Sequence, residues 1–318
     1  MYERMGVVSV RFGRRFWIIP LVILIVVVLG LFGSTLYFLN QMFVHRVEKL
    51  VTTPEQLGLP SETISLTSAD GIPLKAWWMP VERPQPRGVV VVLHGMDGQD
   101  ASTMLGHAQF LHDAGYAALA LDMRAHGRSG GHRIGLAFEE PQDVAAALDW
   151  VASQPELTDV PVALLGVSMG GATALRTAAM RQDVDAVISV SAFASVNMMI
   201  HDAFVMMMDA PDPVIALFTP FTRLAFRVMY GAWPATASPL ADIDKIPPRP
   251  ILVAHGDADS QVSVENAYAL ADAADHQVEL WIVKGADHFV YNGNAAGPAD
   301  AFYRERILAF LYRHLTPS

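Results

Sequence analysis

The chain has 318 residues, more than one small domain needs and fewer than two large ones would take, so one domain of about 250 residues with an appendage is expected. It contains no cysteine, which excludes disulfides, thiolate metal sites and a cysteine nucleophile. The net charge is −10; residues 1–15 hold four arginines against one glutamate, so the remainder carries −13, a poor match for the phosphates of nucleic acid or for anionic lipid at large.

The appendage comes first. Phe16 to Leu39 (FWIIPLVILIVVVLGLFGSTLYFL) holds no charge and would make about 36 Å of helix, more than the roughly 30 Å hydrocarbon core of a bilayer. Arg4, Arg11, Arg14 and Arg15 precede it, whereas Arg46 and Lys49 beyond it are mixed with Glu48 and Glu55. That asymmetry predicts a cytoplasmic basic tail (1–15), a transmembrane anchor (16–39) and an extracytoplasmic remainder. A cleaved leader would have a shorter apolar run ending at an A-x-A-like site; none follows here, so an uncleaved anchor is expected. Residues 40–60 read as a stalk.

The body, 61–318, opens with two strand-like runs around Asp70-Gly71, a hairpin signal. Six short apolar runs follow: Val89–Leu93, Ala118–Leu121, Val162–Leu165, Ala186–Val190, Ile251–Ala254 and Leu280–Val283. They are continuous rather than alternating, as strands covered on both faces are. Helical patterns near 101–113, 138–153, 169–181, 263–274 and 299–315 separate them. The prediction is a mostly parallel, doubly wound α/β sheet led by an antiparallel hairpin. Residues 192–249 interrupt the rhythm; the stretch is too long for a plain connection and rich in Met, Phe and Leu, so it reads as a helical cap insertion.

The stretch VALLGVSMGGATAL, 162–175, sets Ser168 between Gly166 and Gly170 at a strand-to-helix junction. A sharp turn there lifts the hydroxyl off the sheet edge and aims the following N–H at the reacting centre, and the glycines make room for it. A serine at that place can also do no more than cap the helix that begins near Met169. A base must accompany a nucleophilic serine. His288 lies on a Gly-containing turn five residues beyond Val283. The acid that orients such a base could be Asp257 or Asp259, since both follow the Ile251–Ala254 run.

With these segments in view the body resembles the α/β-hydrolase superfamily, most closely membrane-anchored serine hydrolases of the monoacylglycerol lipase or lysophospholipase type. The motifs are LHG at 93–95, DMRAHGRSGG at 122–131, GVSMG at 166–170, HGDADSQV at 255–262 and GADHF at 285–289, all in family order. The resemblance implies the α/β-hydrolase fold and a Ser168–Asp259–His288 triad, register with the family's acid loop selecting Asp259. It also implies an oxyanion hole made by the backbone N–H groups of Met96 and Met169. His94, Arg124 and His126 are expected to brace their loops. Asp97 departs from what an oxyanion loop prefers and is expected to face solvent.

His94, Asp97, His255, Asp257 and Asp259 raise the thought of a metal, but no H-E-x-x-H or comparable ligand spacing occurs, and no G-x-G-x-x-G follows a strand, so neither a metal nor a nucleotide cofactor is expected. The expected activity is hydrolysis of small-molecule or lipid-like carboxylic esters at the outer face of the cell membrane. The alternatives are an aminopeptidase or amidase of the same fold, for which Asp202, Asp209 and Asp212 in the cap would hold a substrate amine, and a non-catalytic lipid- or partner-binding module. The oligomeric state is left open.

Overall fold

A computed structural model describes residues 14–44, 50–82, 85–96, 99–208, 211–236, 238–275, 277–294 and 297–315. The basic tail before Arg14, Arg46 and Lys49, Asp97 and Asp209 lie outside the described residues. An eight-stranded sheet organises the body: β1 (Glu62–Thr67), β2 (Pro73–Met79), β3 (Val89–Leu93), β4 (Ala117–Asp122), β5 (Val162–Val167), β6 (Ala186–Val190), β7 (Ile251–Gly256) and β8 (Glu279–Val283). Their spatial order is β1-β2-β4-β3-β5-β6-β7-β8. The β1–β2 and β2–β4 pairings are antiparallel and all others parallel.

Period-two geometry explains the continuous apolar runs. Along β3, Val89, Val91 and Leu93 join the core on one face of the sheet while Val90 and Val92 join the core on the other. The first face is covered by α3 (Pro141–Ala152), α4 (Met169–Met180) and α8 (Glu265–Ala273), through residues such as Leu148, Leu175 and Leu270. The second is covered by α2 (Leu105–Asp113) and α9 (Ala301–His314), through Leu111, Tyr303 and Phe310. With both faces buried, polar side chains are disfavoured along the central strands, which are apolar but for Asp122 at the end of β4, Ser189 in β6 and His255 in β7.

The insertion after β6 forms α5 (Val196–Met208), α6 (Asp212–Tyr230) and the short α7 (Pro239–Asp242). Side chains of the body fasten it. Arg133 donates to the carbonyl of Met229 (2.6 Å), the Tyr230 hydroxyl donates to the carbonyl of Ile134 (2.7 Å), and Arg176 pairs with Asp242 (2.9 Å).

The apolar helix α1 (Arg14–Phe43) continues four residues past Leu39. Its far end belongs to the body: Leu39 and Phe43 are buried in the core, and the Phe43 carbonyl accepts from the Ile134 N–H at 2.8 Å. Residues 50–60, expected as a stalk, also lie against the body. Leu59 is buried, and the Val51 N–H donates to the Ser102 hydroxyl at 3.0 Å. The reason is local: this stretch carries apolar side chains at Leu57 and Leu59 that the α2–α9 side of the sheet takes up.

Candidate active site

Every predicted site residue falls at the carboxyl end of a parallel strand or in the loop behind it, where ligands bind in open α/β sheets. Ser168 follows β5 and holds φ 55° and ψ −119°, a left-handed backbone that a non-glycine residue adopts only under constraint. The constraint is visible. Its N–H is fixed to the Val190 carbonyl at the end of β6 (2.8 Å), and α4 starts at once behind it. The neighbouring glycines are required by contact. A Cβ on Gly166 would stand 2.1 Å from the Gly170 carbonyl oxygen, and one on Gly170 would stand 2.3 Å from that of Leu93. The capping role is not taken up, because the Ser168 side chain makes no hydrogen bond to the helix it precedes. The residue as a whole is half-buried.

Asp259 and His288 meet. The His288 Nδ1 lies 2.9 Å from Asp259 Oδ2 and 3.1 Å from Oδ1. The carboxylate also accepts from the N–H groups of Gln261 and Val262, both at 2.9 Å, and sits 3.1 Å from the Nε2 of buried His255. Burial pushes the Asp259 carboxyl up. The bonds from His255, His288 and the Val262 N–H outweigh it and hold the group well below the usual carboxylate range. Asp257 takes another job: its Oδ1 accepts from the Gly285 N–H (2.5 Å) across the neighbouring loop.

His288 is tied to the strand end that also holds the Ser168 turn. Its carbonyl accepts from the Ser191 hydroxyl, and Ser191 directly follows the Val190 that anchors the Ser168 N–H. No hydrogen bond joins the Ser168 hydroxyl to the His288 ring in this structure; catalytic contacts of this kind are often long before substrate closes the site.

The two residues expected to supply oxyanion donors lie on neighbouring stretches of backbone. Met169 is the first residue of α4, so its N–H has no acceptor within the helix. The close fit of Gly170 against the carbonyls of Leu93 and His94 lays that helix end on the strand leading to Met96. His94 braces this loop: Nδ1 lies 2.7 Å from the Gly95 carbonyl and Nε2 accepts from the Met123 N–H at 3.1 Å. Complete burial lowers its pKa to about 4, so the ring is neutral at pH 7. Arg124 is buried between Asp143 and Asp70, both at 2.7 Å, and His126 Nδ1 lies 2.7 Å from the Arg124 carbonyl.

Three supporting roles escaped the sequence reading. His255 entered it within the HGDAD motif and among the residues weighed for a metal, not as a support for the acid, yet its ring packs on the Asp259 carboxylate. Asp287, just before His288, accepts from the Ser260 N–H and hydroxyl and from the His288 N–H, all at 2.8 Å, and so staples the acid loop to the histidine loop. Ser191 is the third, and no motif marks it.

In the cap, Asp202 accepts from the Ser263 N–H (3.1 Å) and the Asn266 side chain (2.9 Å), which ties α5 to the loop before α8. Asp212 is exposed, 3.5 Å from His201.

Comparison with known proteins bears on the fold. Residues 84–234, just under half the chain, match the family described as serine aminopeptidase, S33. That stretch includes the Ser168 turn and ends before Asp259 and His288. A monoacylglycerol lipase from Mycolicibacterium smegmatis is 28% identical over 72% of this chain and 90% of its own. An uncharacterized Pseudomonas aeruginosa protein is 27% identical over 83% of each chain. Among solved structures, an esterase from Pyrococcus furiosus superposes with a TM-score of 0.67 at 23% identity, covering 86% of this chain and 98% of that one. In addition, Ile18–Phe43 is a helix long and apolar enough to cross a membrane, as an anchor or a signal sequence would be. Strand order, the Ser168 turn and these likenesses agree, and the chain has the α/β-hydrolase fold.

Proposed function

We propose that the protein is a membrane-anchored serine hydrolase that cleaves carboxylic esters, lipid-like acyl esters foremost, through Ser168, His288 and Asp259. The observation that carries the reading is the Asp259–His288 hydrogen bond standing at the same sheet edge as the constrained Ser168 turn. With the Nδ1 proton held by the Asp259 carboxylate, Nε2 is the nitrogen left to accept a proton from the serine hydroxyl. Oγ then attacks the acyl carbonyl, and the N–H groups of Met96 and Met169 stabilise the oxyanion. The imidazolium returns its proton to the leaving alcohol. Water, activated by the same histidine, releases the acid from the acyl-enzyme.

The ester reading is supported over the aminopeptidase one by the cap. Asp202 is engaged in holding α5 to the body, which leaves it a poor cradle for a substrate amine. The lipase named among the relatives, and α1 on the same chain, support a lipid-like substrate at a membrane. In this reading the basic tail is cytoplasmic and the hydrolase domain lies outside. The test is turnover of a series of p-nitrophenyl esters of increasing chain length by the full-length protein. The wild type should hydrolyse them, with Ser168→Ala lowering kcat at least about a thousandfold; equal turnover by both proteins would overturn the reading.

A further inference from the structure

A cavity of about 320 Å³, lined by none of Ser168, Asp259 and His288, lies where α1 meets the cap. That volume falls at the lower end of the roughly 300–1,000 Å³ range of ligand pockets. Phe38, Leu39 and Met42 of α1 form one wall, Met199 and Phe204 of α5 and Phe218 of α6 the other. Three hydroxyls also border it, and each is already committed inside its own helix. Ser34 and Thr35 donate to the Leu31 carbonyl at 3.0 and 2.8 Å, and Thr222 donates to that of Thr219 at 2.8 Å. Among the described residues none that lines it is charged. The described walls therefore offer hydrocarbon, with no free polar group to reward a polar ligand.

Its depth points the same way. A span of about 20 residues begun at Phe16, the first residue of the uncharged run, ends near Thr35. The α1 wall of the cavity begins at Ser34, so it starts at the outer-leaflet edge of the hydrocarbon. The outward side of α6 suits that position: Val214, Leu217, Leu224 and Val228 are exposed, with Arg223 and Arg227 exposed beside them. An apolar stripe flanked by long cationic side chains is the pattern of a helix lying in a bilayer surface.

We propose that this cavity binds one hydrocarbon chain of a lipid, admitted sideways from the bilayer between α1 and the cap, so that the anchor helix is itself part of a lipid-binding site. The proposal rests on the membrane reading of α1, and only its kinetic arm rests on the esterase reading. The full-length protein in phospholipid nanodiscs is irradiated with a fatty acid carrying a mid-chain diazirine, and the adducts are mapped by mass spectrometry. Adducts are expected within 34–43, 199–204 and 218–222; adducts confined to the lipid-facing stretch 18–29 would overturn the site. Ala203 of α5 also lines the cavity, and Ala203→Trp, which fills it, should lower the yield in those segments at least fivefold. Phe204→Ala, which enlarges it, should retain the adducts even where the tryptophan variant fails to fold. In the kinetic arm, Ala203→Trp should lower the ratio of kcat/KM for a dodecanoyl over an acetyl ester about tenfold. Labelling in the cavity supports the site even if no ester is turned over; ester turnover without such labelling overturns the site and leaves the hydrolase reading standing.

Discussion

Two aspartates lie two residues apart on the loop after β7, and only their hydrogen bonds tell them apart. Asp259 bonds the ring of His288, whereas Asp257 bonds the backbone of Gly285. Asp259→Asn should therefore lower kcat by about 10⁴-fold, since an amide no longer holds the Nδ1–H tautomer, while Asp257→Asn should stay within about tenfold of wild type. Steady-state kinetics on the two variants decides the assignment, and the reverse order would exchange their roles. By residues alone the two remained alternatives, and family register selected one. The carboxylate's further ties to His255, Gln261 and Val262 were not legible, because nothing in a sequence says which way a loop carboxylate turns. Asp287 and Ser191 were hidden for the same reason: each acts by bonding backbone of a loop distant in sequence.

At the scale of elements, the strands were legible wherever burial on two faces forces an unbroken apolar run, as at Val89–Leu93. Their edges were less so: β5 and β7 each run two residues past the expected end, to Val167 and Gly256, because the last residues are held by ladder bonds rather than marked by composition. The end of β7 gives a sharp test of how the histidine loop is placed. A Cβ on Gly256 would lie 2.2 Å from the Ala286 carbonyl oxygen and 2.6 Å from that of Asp287. Gly256→Ala must push the loop that carries His288 away from the sheet. We expect on the order of a hundredfold loss of kcat/KM together with a lowered Tm. Unchanged kinetics would mean that the loop's position does not govern the reaction. The insertion showed its length and softness in sequence, but not that α6 would pack beside α1, because an apolar stripe does not name its partner.

For the whole molecule, buried titratable groups set the response of stability to pH. Burial lowers the pKa of His94 to about 4 and of His107 to about 3, while burial raises that of Glu140 to about 7. The unfolded chain takes up protons on the two histidines below their ordinary pKa of about 6.5, so their contribution is full above that value and is lost as pH falls toward 4. Glu140 acts oppositely, because the folded state binds its proton more tightly; its contribution is present below about 4.3 and lost as pH rises through 7. Glu140→Gln removes the opposing titration, and the acid limb of unfolding free energy against pH should steepen by about 1.4 kcal/mol per pH unit between pH 4.3 and 6.5. Denaturant titrations across that range check it, and an unchanged slope would contradict the burial argument. Protease added to intact cells should digest the hydrolase domain, and its protection would reverse the proposed orientation. The central claim is that Ser168 is a nucleophile activated by His288. The most direct measurement is reaction of the full-length protein with a fluorophosphonate, followed by peptide mapping: the account predicts a single adduct on Ser168, lost in Ser168→Ala and strongly slowed in His288→Ala, and an adduct on another residue, or labelling indifferent to both substitutions, would contradict it.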